Sequence, residues 1–209
     1  MISLFIDTAL SYIRIALFKD DKLLDSINEL CEKNMSALFD CKIDKLFKKN
    51  NLQLNEVNKI YTVTGPGSFT GIRVGMTFSK VLAMALNLKI TPISELQVLA
   101  TTKTFNLKAP MIDARRGYVY AGIYDDDLNN VYEDKHILLE DFLNINKDVQ
   151  YISYDSFEQI STIMPNIDFE KIINKNKNSK QVDHEVLVPN YLKLTEAEEN
   201  LRKKKENDN

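Results

Sequence analysis

The chain has no tryptophan, two cysteines, two histidines, six glycines and five prolines among its 209 residues. Each shortage excludes something. Cys31 and Cys41 cannot build a disulfide framework, and no second ligand pair stands near them, so they read as small side chains on or near a helix. His136 and His184 match no metal spacing and there is no His-Glu-x-x-His, which argues against zinc proteolysis and any metal site. A dominant charge is lacking too. Lys and Arg total 27 against 30 Asp and Glu, a net charge of −3. That balance gives no global attraction to nucleic acid or to an acidic membrane surface. No apolar run reaches membrane-spanning length and the sequence opens on a strand pattern, so a cytoplasmic protein without membrane attachment is expected. Hydrophobic residues at 44% and charged residues at 27% suit one large domain or two small lobes.

The few glycines are concentrated. Gly65, Gly67 and Gly71 fall in Gly65-Pro66-Gly67-Ser68-Phe69-Thr70-Gly71-Ile72-Arg73-Val74-Gly75, between the apolar run Ile60-Tyr61-Thr62-Val63 and a helical pattern reaching Leu86. A strand, a glycine turn and a helix start make a cradle for an anion or for another stretch of backbone, because unpaired N–H groups point out of a helix N-terminus. The standard phosphate and nucleophile motifs fail. Walker A needs Lys and Ser/Thr after its last glycine, and Ile72 follows Gly71. The dinucleotide fingerprint needs glycine where Thr70 stands, and Ser68 lacks the flanking glycines of a hydrolase elbow. No catalytic residue and no cofactor is assigned.

Apolar positions Met35, Leu38, Phe39, Ile43 and Leu46 fall on one face of a helix over 35–49. The basic run Lys42, Lys45, Lys48 and Lys49, diluted by Asp40 and Asp44, reads as a solvated face. The helix over 70–86 carries small residues every fourth position: Gly71, Gly75, Ser79 and Ala83. Glycine costs a helix interior about 1 kcal/mol against alanine, so the stripe implies close packing, within the lobe or against another chain. Strands are expected at Ile2–Asp7, Tyr12–Phe18 and Lys22–Ile27. Helices are expected at 94–102, 141–145 and 156–164, a strand at 150–153 and a loop at 174–185.

Ile112-Asp113-Ala114-Arg115-Arg116-Gly117-Tyr118 can be laid on Ile6-Asp7-Thr8-Ala9-Leu10-Ser11-Tyr12 at a constant offset, and both copies run on into an Asp-Asp pair. Each reads as strand, acid, hairpin, strand and acidic turn. The match implies a duplicated lobe. Residues 1–103 then form an N-terminal lobe, 104–194 a smaller second lobe, and 195–209 a charged tail.

Three motifs in this order carry a resemblance: Ile6-Asp7-Thr8, the Gly65–Arg73 run, and Ile112-Asp113-Ala114-Arg115-Arg116-Gly117-Tyr118-Val119-Tyr120. Together they resemble the TsaB (YeaZ) family. Pro189-Asn190-Tyr191-Leu192-Lys193 is similar to that family's Pro-x-Tyr-Leu-Arg, with Lys193 in place of arginine, and Asn34 stands where many relatives carry histidine before the first helix. The resemblance implies a two-lobed α/β fold, actin-like (ribonuclease-H-like, ASKHA), with mixed sheets and flanking helices. It implies a non-catalytic scaffold and activator of a TsaD-like chain that makes threonylcarbamoyladenosine beside the anticodon, with tRNA met through the complex. A TsaE-like ATPase is implied as a further partner, and a homodimer for the chain alone. Partner contact would run through Met35, Leu38, Phe39, Ile43 and Leu46 on the first helix and Gly71, Gly75, Ser79 and Ala83 on the second.

Asp7, Thr8, Gly65, Gly67, Ser68 and Arg73 are then the remnant of a nucleotide or anion site. In actin-like enzymes a glycine follows the strand-end acid, whereas Ala9 and Arg115 hold the corresponding places here. Arg73, unfavourable in the first helical turn, calls for an anionic partner within the chain or across an interface. Arg115 and Arg116 at a turn could meet tRNA phosphate or be solvated. The rival reading is a small actin-like ATP-dependent phosphotransferase or ATPase using Asp7 and the glycine loop. A third is a tRNA-binding module.

Overall fold

In Ile2–Asp7 every residue is buried, the near-continuous apolar run of a strand covered on both faces. A computed structural model describes residues 1–104, 107–145 and 148–193, and places this strand, β1, at the centre of a five-stranded sheet. Its neighbours are β2 (Tyr12–Lys19), β3 (Lys22–Leu30), β4 (Val57–Gly65) and β5 (Ile90–Ser94), in the order β3-β2-β1-β4-β5. β1 runs antiparallel to β2 and parallel to β4. Asp20 and Asp21 turn β2 into β3 with φ of 52° and 64°, the left-handed pair that matches the twist of a tight hairpin.

Helices α1 (Met35–Lys49) and α2 (Phe69–Leu86) cover the sheet face that carries Ile6. The opposite face, that of Phe5, packs edge-on against Phe169 at 5.6 Å between ring centroids. A second sheet holds β6 (Leu107–Arg115), β7 (Tyr118–Tyr124), β8 (Asn130–Leu138) and β9 (Val149–Ile152), in the order β8-β7-β6-β9. This repeats β3-β2-β1-β4, including the parallel outer strand, without a fifth member. The duplication is therefore topological as well as sequential. The two hairpins are nevertheless closed differently. Four residues, Thr8 to Ser11, link β1 to β2, whereas Arg115, Arg116 and Gly117 all take positive φ and turn β6 into β7 within Arg115–Tyr118.

Several expected elements are corrected. The helix expected at 94–102 shrinks to α3 (Glu95–Leu99), and that at 141–145 starts earlier as α4 (Leu139–Leu143). The 156–164 segment is not helical. It is rich in Ile and Thr, which helices disfavour, and the Ile163 amide and carbonyl pair with Tyr151 and Ser153 beside β9. The expected loop at 174–185 begins inside a helix, α5 (Phe169–Asn176), whose N-cap Asp168 accepts from the Lys171 N–H at 2.9 Å. β5 and β8 were not expected: one is short and contains Pro92, the other is a polar edge strand.

The expected second-lobe boundary is corrected as well. From Asp168 the chain returns to the first sheet. Phe169 meets Phe5, the Leu23 N–H donates to Glu170, Val182 bridges Ile90, and the Asn190 N–H donates to the Thr64 carbonyl at 2.7 Å. Residues 168–193 thus pack with the N-terminal lobe, and the expected charged tail lies outside the described residues. One expectation about hydrophobic runs also changes. α2 is long and apolar enough, by length and composition only, to cross a membrane. Its glycine stripe faces the sheet.

Candidate functional site

The glycine run is a cradle for backbone. An added Cβ at Gly67 would lie 2.2 Å from the Ala9 carbonyl oxygen, and one at Gly71 would lie 2.2 Å from that of Thr8. The β1–β2 link therefore sits where a phosphate would approach. Its atoms also take the N–H groups. Ser68 donates to the Ala9 carbonyl at 2.7 Å, and the Gly75 N–H donates to Thr8 Oγ1 at 3.0 Å. Thr8 Oγ1 donates in turn to the Gly71 carbonyl at 2.7 Å. Ser68 caps α2 by accepting from the Gly71 N–H at 3.3 Å. Gly65, with φ of 119°, leaves room for the Asn190 carbonyl, which a Cβ would meet at 2.5 Å. Gly71→Ala is expected to cost about 3 kcal/mol, at the upper end of overpacking penalties, because the obstacle is backbone. A shift in the urea midpoint measures it.

Asp7 faces the other side of β1 and is occupied as well. Asp7, Arg14 on β2 and Glu95 at the start of α3 are all fully buried. Arg14 Nη1 donates to Asp7 Oδ2 and, at 2.8 Å, to Glu95 Oε1. Asp7 Oδ1 accepts from the Ala9 N–H at 2.8 Å, so Asp7 also pins the turn that fills the cradle. The Arg14 guanidinium lies 5.1 Å from the Tyr12 ring and 5.5 Å from that of Tyr154, and the two rings stack at 4.5 Å. Arg14 thus supplies the positive charge that a strand-end carboxylate of a phosphotransferase takes from a metal ion.

Burial, then the charge of Asp7, pushes the Glu95 carboxyl well above its ordinary value of 4.5. A carboxyl raised on folding binds more protons in the native state, so its contribution to stability falls as pH climbs from the unfolded value through the folded one. Glu95→Gln is expected to flatten that decline. Its urea stability should change less between pH 5 and pH 8 than that of the unsubstituted chain, as judged by denaturation at both pH values.

A cleft of about 620 Å³ separates the lobes, with Tyr12, Tyr120 and Tyr154 and the acids Asp113 and Asp155 on its walls. Asp113, the repeat partner of Asp7, is exposed. It accepts from the Arg115 N–H at 2.8 Å, a local turn cap, and no guanidinium faces it among the described residues. Three of the four lysines on α1 are paired: Lys42 with Glu29, Lys48 with Asp44 at 2.7 Å, and Lys49 with Asp25 at 2.8 Å.

The small-residue stripe is corrected from a partner seam to an internal one. Gly71, Gly75, Ser79 and Ala83 are all buried. A Cβ at Gly75 would strike Thr8 Oγ1 at 2.7 Å and Ile6 at 3.0 Å, and Ser79 Oγ hydrogen-bonds Thr62 on β4. On α1, Phe39, Ile43 and Leu46 are likewise buried in the lobe, Met35 is half-buried, and Leu38 is exposed. Leu38 apart, the apolar and small positions read from the sequence mark the inward faces of both helices.

The outward face was not foreseen. Phe69, Val81 and Met84 on α2 are 57%, 55% and 60% exposed. Between the helices runs a groove of about 650 Å³. Phe39 and Phe78, edge-to-face at 5.2 Å, line it together with Phe69, Val74 and Val81. The signal was present in a second, broken apolar line on α2, which the more regular glycine spacing overshadowed. Arg73 stands at its rim. Of the two places expected for its anionic partner, within the chain or across an interface, the first is empty among the described residues. The guanidinium instead covers the Phe69 ring at 3.8 Å, and Nε donates to the Tyr191 hydroxyl at 3.3 Å. Tyr191 stacks on Phe69 at 5.7 Å, so the Pro189–Lys193 motif is what props the groove's end.

Comparison with known proteins fits this geometry. A family model described as TsaD: tRNA N6-adenosine threonylcarbamoyltransferase matches residues 27–179. The tRNA threonylcarbamoyladenosine biosynthesis protein TsaB of Bacillus subtilis (strain 168) is 30% identical, across 95% of this chain and 96% of that protein. YeaZ from Pseudomonas aeruginosa has a TM-score of 0.74 at 20% identity, covering 91% of this chain and 100% of that one. A protein similar to peptidase YEAZ from the same organism has a TM-score of 0.75, also at 20% identity, covering 92% and 99%. These structures share the two-lobed, actin-like arrangement of paired mixed sheets. By its motifs, its fold and its full-length relative, the chain belongs to the TsaB (YeaZ) family.

Proposed function

We propose that this chain is a non-catalytic subunit of the machinery that forms threonylcarbamoyladenosine in tRNA, and that it works by docking a TsaD-like catalytic chain on the groove between α1 and α2. The observation that carries the reading is the pairing of a filled cradle with an open groove. The phosphate position holds the chain's own Thr8 and Ala9 backbone, and Asp7 is neutralised by Arg14. The exposed apolar side chains Phe69 and Val81 of α2 meanwhile line an open groove. The name carried by the Bacillus relative supports the reaction, and the match to a TsaD-described family model supports a related chain as the partner. A TsaE-like ATPase joins the same assembly, tRNA is met through the complex, and the setting is the cytoplasm.

Reconstitution with the TsaD-like protein of the same organism tests this. Formation of the modified nucleoside on tRNA, read by mass spectrometry, should require this chain. The isolated chain should give no heat with ATP and Mg²⁺ in calorimetry. Metal-dependent ATP binding by the chain alone would favour the phosphotransferase reading, and a steep salt dependence of tRNA binding would favour the RNA-binding one.

A further inference from the structure

The duplicated hairpins differ most at their turns. In the first lobe the link from Thr8 to Ser11 folds inward onto Gly67 and Gly71. In the second, Arg115, Arg116 and Gly117 are all exposed, and a Cβ added at Gly117 would meet nothing within 4 Å. Left-handed turns of this kind suit Asn and Gly. Arginine nevertheless holds two of the three positions, with φ of 67° and 55°. Among the described residues neither guanidinium forms an ion pair. That holds even though Asp113 and Glu158 line the cavity of about 570 Å³ beside the turn with them.

The turn opens onto aromatic side chains. Tyr118 and Tyr120 on β7 share a sheet face with His136 on β8, which stands opposite Tyr120. The Tyr118 ring lies 4.7 Å from the His136 ring with 6° between their planes, and Tyr120 meets His136 at 5.3 Å. Tyr118, the outermost of the three, is 36% exposed. Stacking on His136 fixes its ring before anything binds, so little freedom is lost on binding. The row leads inward to the cleft between the lobes, which Tyr120 and Arg115 both line.

A fixed aromatic ring beside two unpaired guanidiniums has the chemistry of a site for unpaired nucleotides, in which a base stacks on the ring and the adjoining phosphates meet the cations. An acidic protein surface would use the arginines and leave the ring idle. We infer that the second lobe itself touches tRNA, with a base of an unpaired loop stacked on Tyr118 and neighbouring phosphates on Arg115 and Arg116. The inference rests on the proposed role of the chain in tRNA modification and adds a contact made by this chain to the substrate. Two cations on a chain of net charge −3 do not hold tRNA alone. The contact counts once the TsaD-like chain holds the rest of the molecule, because the second binding event is then intramolecular.

The test uses the reconstituted assembly with the unmodified tRNA substrate. It compares the unsubstituted chain with Arg115→Asn/Arg116→Asn, which suits the left-handed turn, and with Tyr118→Leu. Circular dichroism checks folding, and light scattering checks that each variant joins the TsaD-like chain. Each variant should raise KM for tRNA roughly tenfold with kcat kept within about twofold, the pattern of lost substrate binding. The arginine variant should also flatten the plot of log affinity against log salt by about 1.4, two phosphate contacts to a single strand, whereas Tyr118→Leu should leave that slope unchanged. Ultraviolet crosslinks from this chain should map to loop nucleotides and vanish in Tyr118→Leu.

Unchanged KM in both variants would overturn the inference. So would a weaker affinity with an unchanged salt slope in the arginine variant, since the arginines would then not be meeting phosphate. An arginine variant that folds but no longer joins the assembly would assign the turn to an acidic protein partner instead. Crosslinks confined to paired stems would overturn the stacking on Tyr118. An unsubstituted chain that fails to assemble or to support modification sinks the proposed function, and this inference with it.

Discussion

Arg14→Met is expected to cost about 3–5 kcal/mol of stability, because it leaves the Asp7 carboxylate buried without its counter-charge. That is a large part of the 5–15 kcal/mol or so that holds an ordinary domain together. The substitution keeps an unbranched apolar stem and removes the guanidinium, with its hydrogen bonds to Asp7 and Glu95 and its contacts with the Tyr12 and Tyr154 rings. Adding Asp7→Asn to Arg14→Met should recover much of the loss. An amide oxygen still accepts from the Ala9 N–H, and the remaining carboxyl, Glu95, is one that burial already pushes toward its neutral form. Urea denaturation of the two variants beside the unsubstituted chain measures both effects. A loss below about 1 kcal/mol for Arg14→Met would mean that the Asp7–Arg14 pair is not what neutralises the site. The consequence for function follows from place. Asp7 ends the central strand beside the glycine turn, where actin-like enzymes hold metal and phosphate. Here the same carboxylate braces Ala9, and Ala9 fills the turn. A substitution at Asp7 therefore tests folding before it tests chemistry.

Much of this fold could be read from the residues because local signals agreed with tertiary ones. Met35–Lys49 was legible from its apolar spacing, and β1 and β2 from apolar runs with a short link. The repeat of Ile6-Asp7 at Ile112-Asp113 pointed to a duplicated lobe with a second hairpin; that its sheet also repeats the strand order is visible only in the structure. The site was legible only in outline. Sequence spacing showed that Gly67 and Gly71 exist for close approach. It could not say that the approaching group is Ala9 or Thr8 of the same chain, since that contact joins residues some sixty positions apart. The stripe Gly71-Gly75-Ser79-Ala83 misled for a related reason. Small residues fit a helix against a sheet as well as against another helix, and periodicity does not name the partner. Arg14 is a single charged residue within the otherwise apolar run Tyr12–Phe18, and nothing in the local pattern singled it out. Its meaning depended on Glu95, which arrives from α3, some eighty positions on.

Val81→Glu is expected to abolish association with a TsaD-like chain while leaving the fold unchanged. Val81 is more than half exposed, and surface substitutions away from special contacts shift stability by about 0.5 kcal/mol or less. At the centre of an apolar seam the same carboxylate would lose water with no cation beside it, a cost of about 3 kcal/mol or more and hence a loss above roughly hundredfold in affinity. Gly75→Leu would not separate these effects, because its side chain would enter the space held by Thr8 and Ile6 and strike the lobe from within. The contrast between the outer and inner faces of one helix is thus itself diagnostic. An outer-face change should affect binding alone, and an inner-face change should affect folding first.

The most direct measurement is a titration of the TsaD-like protein from the same organism with the unsubstituted chain and with Val81→Glu, followed by light scattering, with melting curves taken on both. A stable complex for the first, none for the second, and equal melting temperatures would agree with docking through the α1/α2 groove. A Val81→Glu chain that melts normally and still binds as tightly as the unsubstituted one would contradict it.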